Sequence, residues 1–263
     1  MISIEFSVIS GKYLRELFNS LRTQKFQEFE VIVVNSNPES SDIIREFGAK
    51  EIFKKTGKLE ARVLAHKEAK GNFELLLEET RFLSENALDL LHNLNNIEMA
   101  IINELELGNH LINRLNRFDA RNAFQFTSAS PNKLYLLPRY FRQDVLSYSL
   151  DSISKKLLES NISKIVADDL EMIYIESFQH FRKVTKVDEP LIKKYGEKTF
   201  RESFKKYYRY GKTSREISKT EYYTSLNSLH RMRPIPNLRS VPPLLFLYAL
   251  RGTAFFAGYY LNL

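Results

Sequence analysis

Apolar positions alternate with polar ones from Ile2 to Ile9 until Ser10-Gly11 breaks the run, which is the period of a strand. From Tyr13 to Leu21 the period changes: Leu14, Leu17, Phe18 and Leu21 recur at helical spacing. Phe29-Glu30-Val31-Ile32-Val33-Val34 is a continuous apolar run of the kind that parallel sheets bury on both faces. It ends in a loop and helix-start signal at Asn35 to Ser40, and Ser41 to Phe47 reads as a short helix. Ala49 to Phe53 predicts a third strand, Leu59 to Ala69 a helix that Gly71 stops, and Phe73 to Leu77 a fourth strand running into Glu78-Glu79-Thr80-Arg81. Strands alternating with helices in this way predict an open α/β sheet with right-handed crossovers. Such sheets bind ligands at the carboxyl ends of their strands, so the loops at Ser10-Gly11, Asn35-Ser36 and Glu78 to Arg81 are expected to share one crevice. Further on, the pattern predicts a strand over Ile97 to Asn103, a helix over Leu107 to Phe118 and a strand over Lys133 to Leu137. It then gives a helix over Asp144 to Leu158, another opened by Asp168-Asp169-Leu170-Glu171, a strand over Val184 to Val187, and helices to the end.

With 263 residues, 43% of them hydrophobic, the chain suits one large domain or one domain with an appendage. It has no cysteine, which removes disulfide frameworks, thiolate zinc sites, iron–sulfur clusters and cysteine nucleophiles together. The five histidines are too scattered for a local metal motif. After the first strand only Gly11 is present, and no glycine-lysine phosphate loop occurs anywhere, which argues against a nicotinamide dehydrogenase or a P-loop ATPase. Met1 to Phe6 lacks a basic segment followed by a long apolar stretch, so a cytosolic chain without a cleaved signal is expected.

Charge divides the chain in two. Residues 196–263 hold 12 Lys and Arg against 4 Asp and Glu, and 13 of the 33 Phe and Tyr residues, while residues 1–195 are nearly neutral. The C-terminal region is therefore read as a basic, aromatic helical extension of a domain at 1–195. Its last part, residues 241–263, is apolar but interrupted by Arg251 and by glycines, which is poor for a bilayer span of about 20 residues. A helix lying on a membrane surface fits better, with packing on the core or on a second copy in a homo-oligomer as the alternative. No nucleic acid is expected, because this end is greasy as well as basic.

Three blocks carry a resemblance to a known family. The first is Tyr13-Leu14-Arg15-Glu16-Leu17-Phe18-Asn19-Ser20-Leu21 with Gln24, Phe26 and Phe29 to Val34; the second is Ala61-Arg62, Ala65, Ala69-Lys70-Gly71-Asn72-Phe73 and Leu75 to Leu77. The third pairs Pro138-Arg139-Tyr140-Phe141-Arg142 with Val166-Ala167-Asp168-Asp169-Leu170-Glu171. Together they resemble the family 2 glycosyltransferases of the GT-A fold, and Tyr207-Tyr208-Arg209-Tyr210-Gly211 with Leu250-Arg251-Gly252 is similar to membrane-associated members. The resemblance implies an α/β fold with a Rossmann-like, mostly parallel sheet, a nucleotide-binding part over 1–95 and an acceptor part over 96–195. It implies a hexosyltransferase, inverting, that uses a UDP- or GDP-sugar and a lipid-linked or cell-surface glycan acceptor, held peripherally on the inner face of the cell membrane. Donor binding then falls to Ser10, Gly11, Asn35, Ser36, Arg62 and Arg81; Glu78 and Glu79 take Mg²⁺ or Mn²⁺; Asp169 is the catalytic base, with Asp168 beside it.

Two departures from the family pattern bear on this. Asn35-Ser36 stands where the family usually has Asp, and Glu78-Glu79-Thr80-Arg81 stands where it usually has Asp-x-Asp. An amide can still hydrogen-bond a base, and glutamates can still offer hard oxygens to a cation. Arg81 is the alternative means of meeting the diphosphate charge. Two other functional readings stay open on sequence: a nucleotide-sugar-binding protein without turnover, and a basic scaffold that docks on membranes or nucleic acid.

Overall fold

A computed structural model describes residues 1–94, 96–127, 136–157, 162–222, 224, 226 and 241–261. Strand β1 (Ile2–Val8) lies inside the sheet, paired in parallel with β2 (Phe29–Asn35) on one side and β4 (Phe73–Leu76) on the other, with Ile4 opposite both Val31 and Leu75. Strand β3 (Lys50–Phe53) continues the parallel array beyond β2. The other edge is mixed: β7 (Tyr140–Arg142) runs antiparallel to β4 and to β6 (Met99–Leu107). Beyond it β8 (Val184–Tyr195) runs parallel to β6, and β5 (Arg81–Leu83) antiparallel to β8. The sheet order is β3-β2-β1-β4-β7-β6-β8-β5.

Both sheet faces are covered, which is why the strands read as apolar runs. Ile2, Ile4, Phe6 and Val8 of β1 join Val31 and Val33 of β2 in one core, closed by Leu14, Leu17, Phe18 and Leu21 of helix α1 (Leu14–Arg22). Ile32 and Val34 point the other way, against Ala61 and Ala65 of α3 (Lys58–His66). Beside α1, α2 (Ser41–Phe47) adds Ile44 to the first core, which α4 (Ala87–His92) seals with Leu88 and Leu91. A further core forms where Met99, Ile101 and Phe141 meet α6 (Gln143–Lys156) and α7 (Asp169–His180).

The acceptor half departs from its sequence pattern. β6 extends past Asn103 to Leu107, and α5 occupies Leu111–Phe126 instead of starting at Leu107, because the chain turns at Gly108 and meets no breaker before Thr127. Of the strand expected over 133–137, residues 133–135 lie outside the described residues; the strand that forms is β7, after Pro138. β8 runs on well beyond Val187, stepping out around Pro190 so that Ile102 pairs with Val187 but Glu104 with Ile192. The polar stretch Asp188-Glu189-Pro190 hides this second half from periodicity, and the three-residue β5 is too short to show one.

The C-terminal helices α8 (Phe200–Ile217) and α9 (Val241–Tyr260) lie side by side in the same direction, Phe200 near Phe246 and Gly211 against Phe255. A Cβ on Gly258 would lie 1.9 Å from the Tyr208 carbonyl oxygen, so glycine sets this close approach. α9 is tied back to α5 by Arg251, which donates to Asp119 at 2.7 Å and to Asn116 at 2.9 Å. Packing on the core, one of the alternatives for this segment, is thus present on one side of α9, where Leu244, Leu247 and Ala254 are buried; Leu245, Phe246, Phe256 and Tyr260 remain exposed. Among the described residues no helix is long and apolar enough to cross a membrane.

Candidate active site

The loop after β1 meets the loop after β4 through one carboxylate. Glu79 accepts from the backbone amides of Ile9 at 3.1 Å, Ser10 at 3.2 Å and Gly11 at 3.0 Å, and from the Ser10 hydroxyl at 2.7 Å. Ser10, Gly11 and Glu79 therefore come together as expected, but Glu79 closes the loop rather than standing open to a cation. Gly11 has φ +72°, a conformation that favours glycine, and a Cβ there would lie 2.2 Å from the Ser40 hydroxyl oxygen, which would have to turn away. Asn35, expected to meet a nucleotide base, is fully buried at the end of β2. Its amide donates to Glu51 at 2.6 Å and Ser41 at 3.2 Å, and accepts from the Asn37 amide at 2.9 Å. Asn35 thus shapes the loop, which ties back to β1 through Asn37 donating to the Ser10 carbonyl at 3.1 Å. Ser36 is likewise engaged locally, donating to the Lys54 carbonyl at 3.0 Å.

Glu78 lies in a nest of cations. Lys58, the first residue of α3, is 3.2 Å away, Arg139 is 3.7 Å away, and Arg81 pairs with it more closely still. Burial by itself would raise the Glu78 pKa, yet Arg81, Lys58 and Arg139 hold it well below the usual carboxylate range. A second acid repeats the arrangement. Glu104 of β6 takes Arg139 at 2.5 Å and Arg81 at 3.0 Å on one oxygen and Lys194 of β8 at 3.0 Å on the other, and these charges likewise outweigh its burial. Burial opposes the charge on Lys58 as well, but Glu78, Tyr210 of α8 and Asp169 keep its pKa above the ordinary value.

These partners bear on metal binding. Among the described residues there is no group of three or more His, Asp and Glu side chains disposed to hold a metal ion. A divalent cation on Glu78 would have to sit beside three positive side chains; two like unit charges at 4 Å repel by about 4 kcal/mol at an effective dielectric of 20, and a dication doubles that. Glu79 has its oxygens on backbone amides and a hydroxyl. The residues expected to carry Mg²⁺ or Mn²⁺ therefore do not fit the ion in this arrangement, the physical reason being the surplus of cations around Glu78.

Beneath this nest Arg62 joins three elements. It is 4% exposed and donates to Asp169 at 3.3 Å, to Glu5 of β1 at 3.3 Å and to the Leu77 carbonyl at 2.9 Å. Expected on the donor, it instead works from below, fixing Asp169 to the sheet. Burial pushes the Glu5 pKa up to about 8, with Arg62 opposing and Glu74 adding to the shift, so Glu5 keeps a proton at neutral pH. Asp168 precedes α7 with φ +64°, and its side chain makes no capping hydrogen bond to that helix. Burial and the neighbouring Asp169 raise the Asp168 pKa to about 7 against the pull of Lys58. Lys58, Glu104, Arg139 and Lys194 were not legible as site residues: Lys58 opens a helix whose pattern begins at Leu59, and Glu104 and Lys194 lie in the unforeseen strand extensions.

The arrangement places an acidic pair on an arginine beside two closed strand-end loops and a cationic nest, at the carboxyl ends of parallel strands. Residues 8–78 match the family model for Glycosyl transferase family 2. That segment is a little over a quarter of the chain. A search of curated proteins finds no sequence match. Among solved structures, TarS of S. aureus is similar at TM-score 0.56 and 14% identity over 96% of this chain and 49% of TarS, so the chain spans about half the length of that protein. The 1–349 piece of TarS in complex with UDP-GlcNAc gives 0.55 and 13% over 97% of this chain and 81% of the piece. Mannosyltransferase PcManGT from Pyrobaculum calidifontis, in complex with GDP-Man and Mn²⁺, gives 0.52 and 10% over 98% and 72%. These likenesses establish the fold, the mixed α/β GT-A sheet with covering helices.

Proposed function

We propose that this protein is a family 2 glycosyltransferase that moves a hexose from a UDP- or GDP-sugar to a lipid-linked or cell-surface glycan acceptor, with inversion. The observation that carries the reading is Asp169, held on Arg62 below the strand ends that bear Ser10, Glu78 and Glu79. The acceptor oxygen forms the new bond to the anomeric carbon as the bond to the nucleotide diphosphate breaks; a hydroxyl acceptor passes its proton to the Asp169 and Asp168 pair, whereas a phosphate acceptor attacks as the oxyanion and has none to pass. Support for the donor class comes from the UDP-GlcNAc and GDP-Man complexes of the structural neighbours.

On the acceptor side, a cavity of about 470 Å³ is lined by four cations, Lys164, Arg209, Lys212 and Arg215, against one acid, Glu216, together with Thr213 and with Val166 shortly before Asp168. This basic lining favours an anionic acceptor such as a lipid phosphate. We place residues 196–263 in a separate role, with α9 lying on the inner face of the cell membrane through its exposed Leu245, Phe246, Phe256 and Tyr260.

Thermal-shift titration of the full chain with UDP, GDP and their sugars, followed by a transfer assay over lipid-phosphate and glycan acceptors, tests the reading. Stabilisation by a nucleotide with sugar transfer supports it. Stabilisation without transfer would point to donor binding alone, and no stabilisation by any nucleotide would leave the scaffold reading.

A further inference from the structure

We infer that the donor diphosphate is neutralised by fixed side-chain cations, with Lys58 and Lys194 at the front and Arg81 and Arg139 behind, and that donor binding requires no divalent metal. This rests on the donor reading above. In place of the usual acidic ligands for a metal, the chain supplies Glu78, already paired with Lys58, Arg81 and Arg139.

Geometry carries the inference. Five cations converge here, Lys58, Arg62, Arg81, Arg139 and Lys194, and their carboxylate partners are Glu78, Glu104 and Asp169, with Glu5 holding its proton. Cations outnumber their carboxylate ion-pair partners here, so the cluster keeps a surplus of positive charge. The surplus also faces outward. Lys58 and Lys194 keep 20% and 22% of their side chains exposed, whereas Arg81 and Arg139 keep 11% and 10%. A diphosphate set against this rim meets two mobile ammonium groups first and two guanidinium forks, already held rigid by Glu104, behind them. Glu78, 22% exposed, acts as the internal counter-ion that keeps the cations gathered when no donor is bound. Its carboxylate competes with the phosphates for the same partners.

That competition separates this reading from a metal site by the sign of one substitution. If Glu78 were a metal ligand, Glu78→Gln would weaken nucleotide binding; if it is a resident counter-ion, Glu78→Gln frees Lys58 and Arg139 and tightens binding. The experiment is calorimetric titration of the full chain and its variants with UDP and with GDP, in EDTA and in MnCl₂.

For the better-bound nucleotide the expected result is an affinity in EDTA equal to that in MnCl₂, tightened by Glu78→Gln. A loss of about tenfold or more is expected for Lys58→Met, the usual weight of a charge-assisted bond to phosphate. Lys58→Met keeps the aliphatic stem and tests the same point should Glu78→Gln fail to fold. Binding that appears only with Mn²⁺, or an unchanged affinity in Lys58→Met, overturns the metal-free assignment while leaving the donor reading standing. Absence of binding by either nucleotide in both buffers overturns the donor reading and this assignment with it.

Discussion

Arg62 and Asp169 stand 107 residues apart in sequence, yet the guanidinium of one lies 3.3 Å from the carboxylate of the other, both almost wholly buried. The pair locks the start of α7 to α3 and, through Glu5 and the Leu77 carbonyl, to the two central strands. In the proposed reaction, a carboxylate fixed in this way would meet the acceptor without the entropy cost of ordering it at each turnover.

Asp169→Asn removes the negative charge and keeps the shape. Transfer to a hydroxyl acceptor should fall by about 10² to 10⁴, the usual weight of a general base, while donor affinity stays near its original value. Steady-state rates beside donor titration decide this, and an active Asn variant would take Asp169 out of the base role.

Arg62→Met leaves Asp169 buried without its counter-charge. Breaking a buried pair from one side costs about 3–5 kcal/mol, so the urea midpoint should drop by a large fraction of the total stability. Arg62→Lys should recover part of that loss, since an ammonium restores the charge but not the three directed bonds.

Glu5 links stability to pH. Its folded pKa of about 8 lies above the ordinary glutamate value of 4.5, with Arg62, Glu74 and Asp169 as the ionisable groups around it. Between those two values the folded state holds a proton that the unfolded chain has lost, so raising the pH favours unfolding. Stability should fall from pH 5 to pH 8, and Glu5→Gln should flatten that fall when urea melts are compared across the range.

Asp168 gives the pH dependence of the chemistry. With a pKa near 7, set by burial and Asp169 and opposed by Lys58, the acidic pair loses its second proton across neutrality. Turnover on a hydroxyl acceptor should rise with pH through about 7, and Asp168→Asn should remove the inflection.

Gly258→Ala should part the C-terminal helices. The added methyl would lie 1.9 Å from the backbone oxygen of Tyr208, and a backbone atom has nowhere to retreat. A loss of about 1–3 kcal/mol is expected from such overpacking, read as a lower melting temperature.

Replacing the exposed Leu245, Phe246, Phe256 and Tyr260 together by serine tests the membrane role. The variant should melt near the parent, because these side chains are not in the core, and should no longer float with anionic vesicles. Flotation equal to the parent would place any membrane contact elsewhere.

The first 80 residues were read closely from pattern: α2 falls on the expected Ser41–Phe47, and β1, β2 and β4 differ from the expected spans by a residue. These elements bury their apolar faces on immediate neighbours, so local period and burial agree. In the acceptor half they do not agree. Glu104, Lys193 and Lys194 sit in strands β6 and β8 although their charge speaks against one, because each finds an ion pair or a ladder partner from a distant segment.

From sequence alone came the alternating α/β order, the carboxyl-end loops at Ser10, Asn35 and Glu78, the acidic pair at Asp168 and Asp169, and the greasy basic end, because each is written in residue type at short range. Only the tertiary structure assigned the partners: Asn35 to Glu51, Glu79 to the β1 loop amides, Arg62 to Asp169, and Glu78 to Lys58 and Arg139. A charged side chain carries no mark of which opposite charge it will meet. That choice is made when the sheet brings strand ends from remote parts of the chain within a few ångströms, where burial forces every charge to find a counterpart.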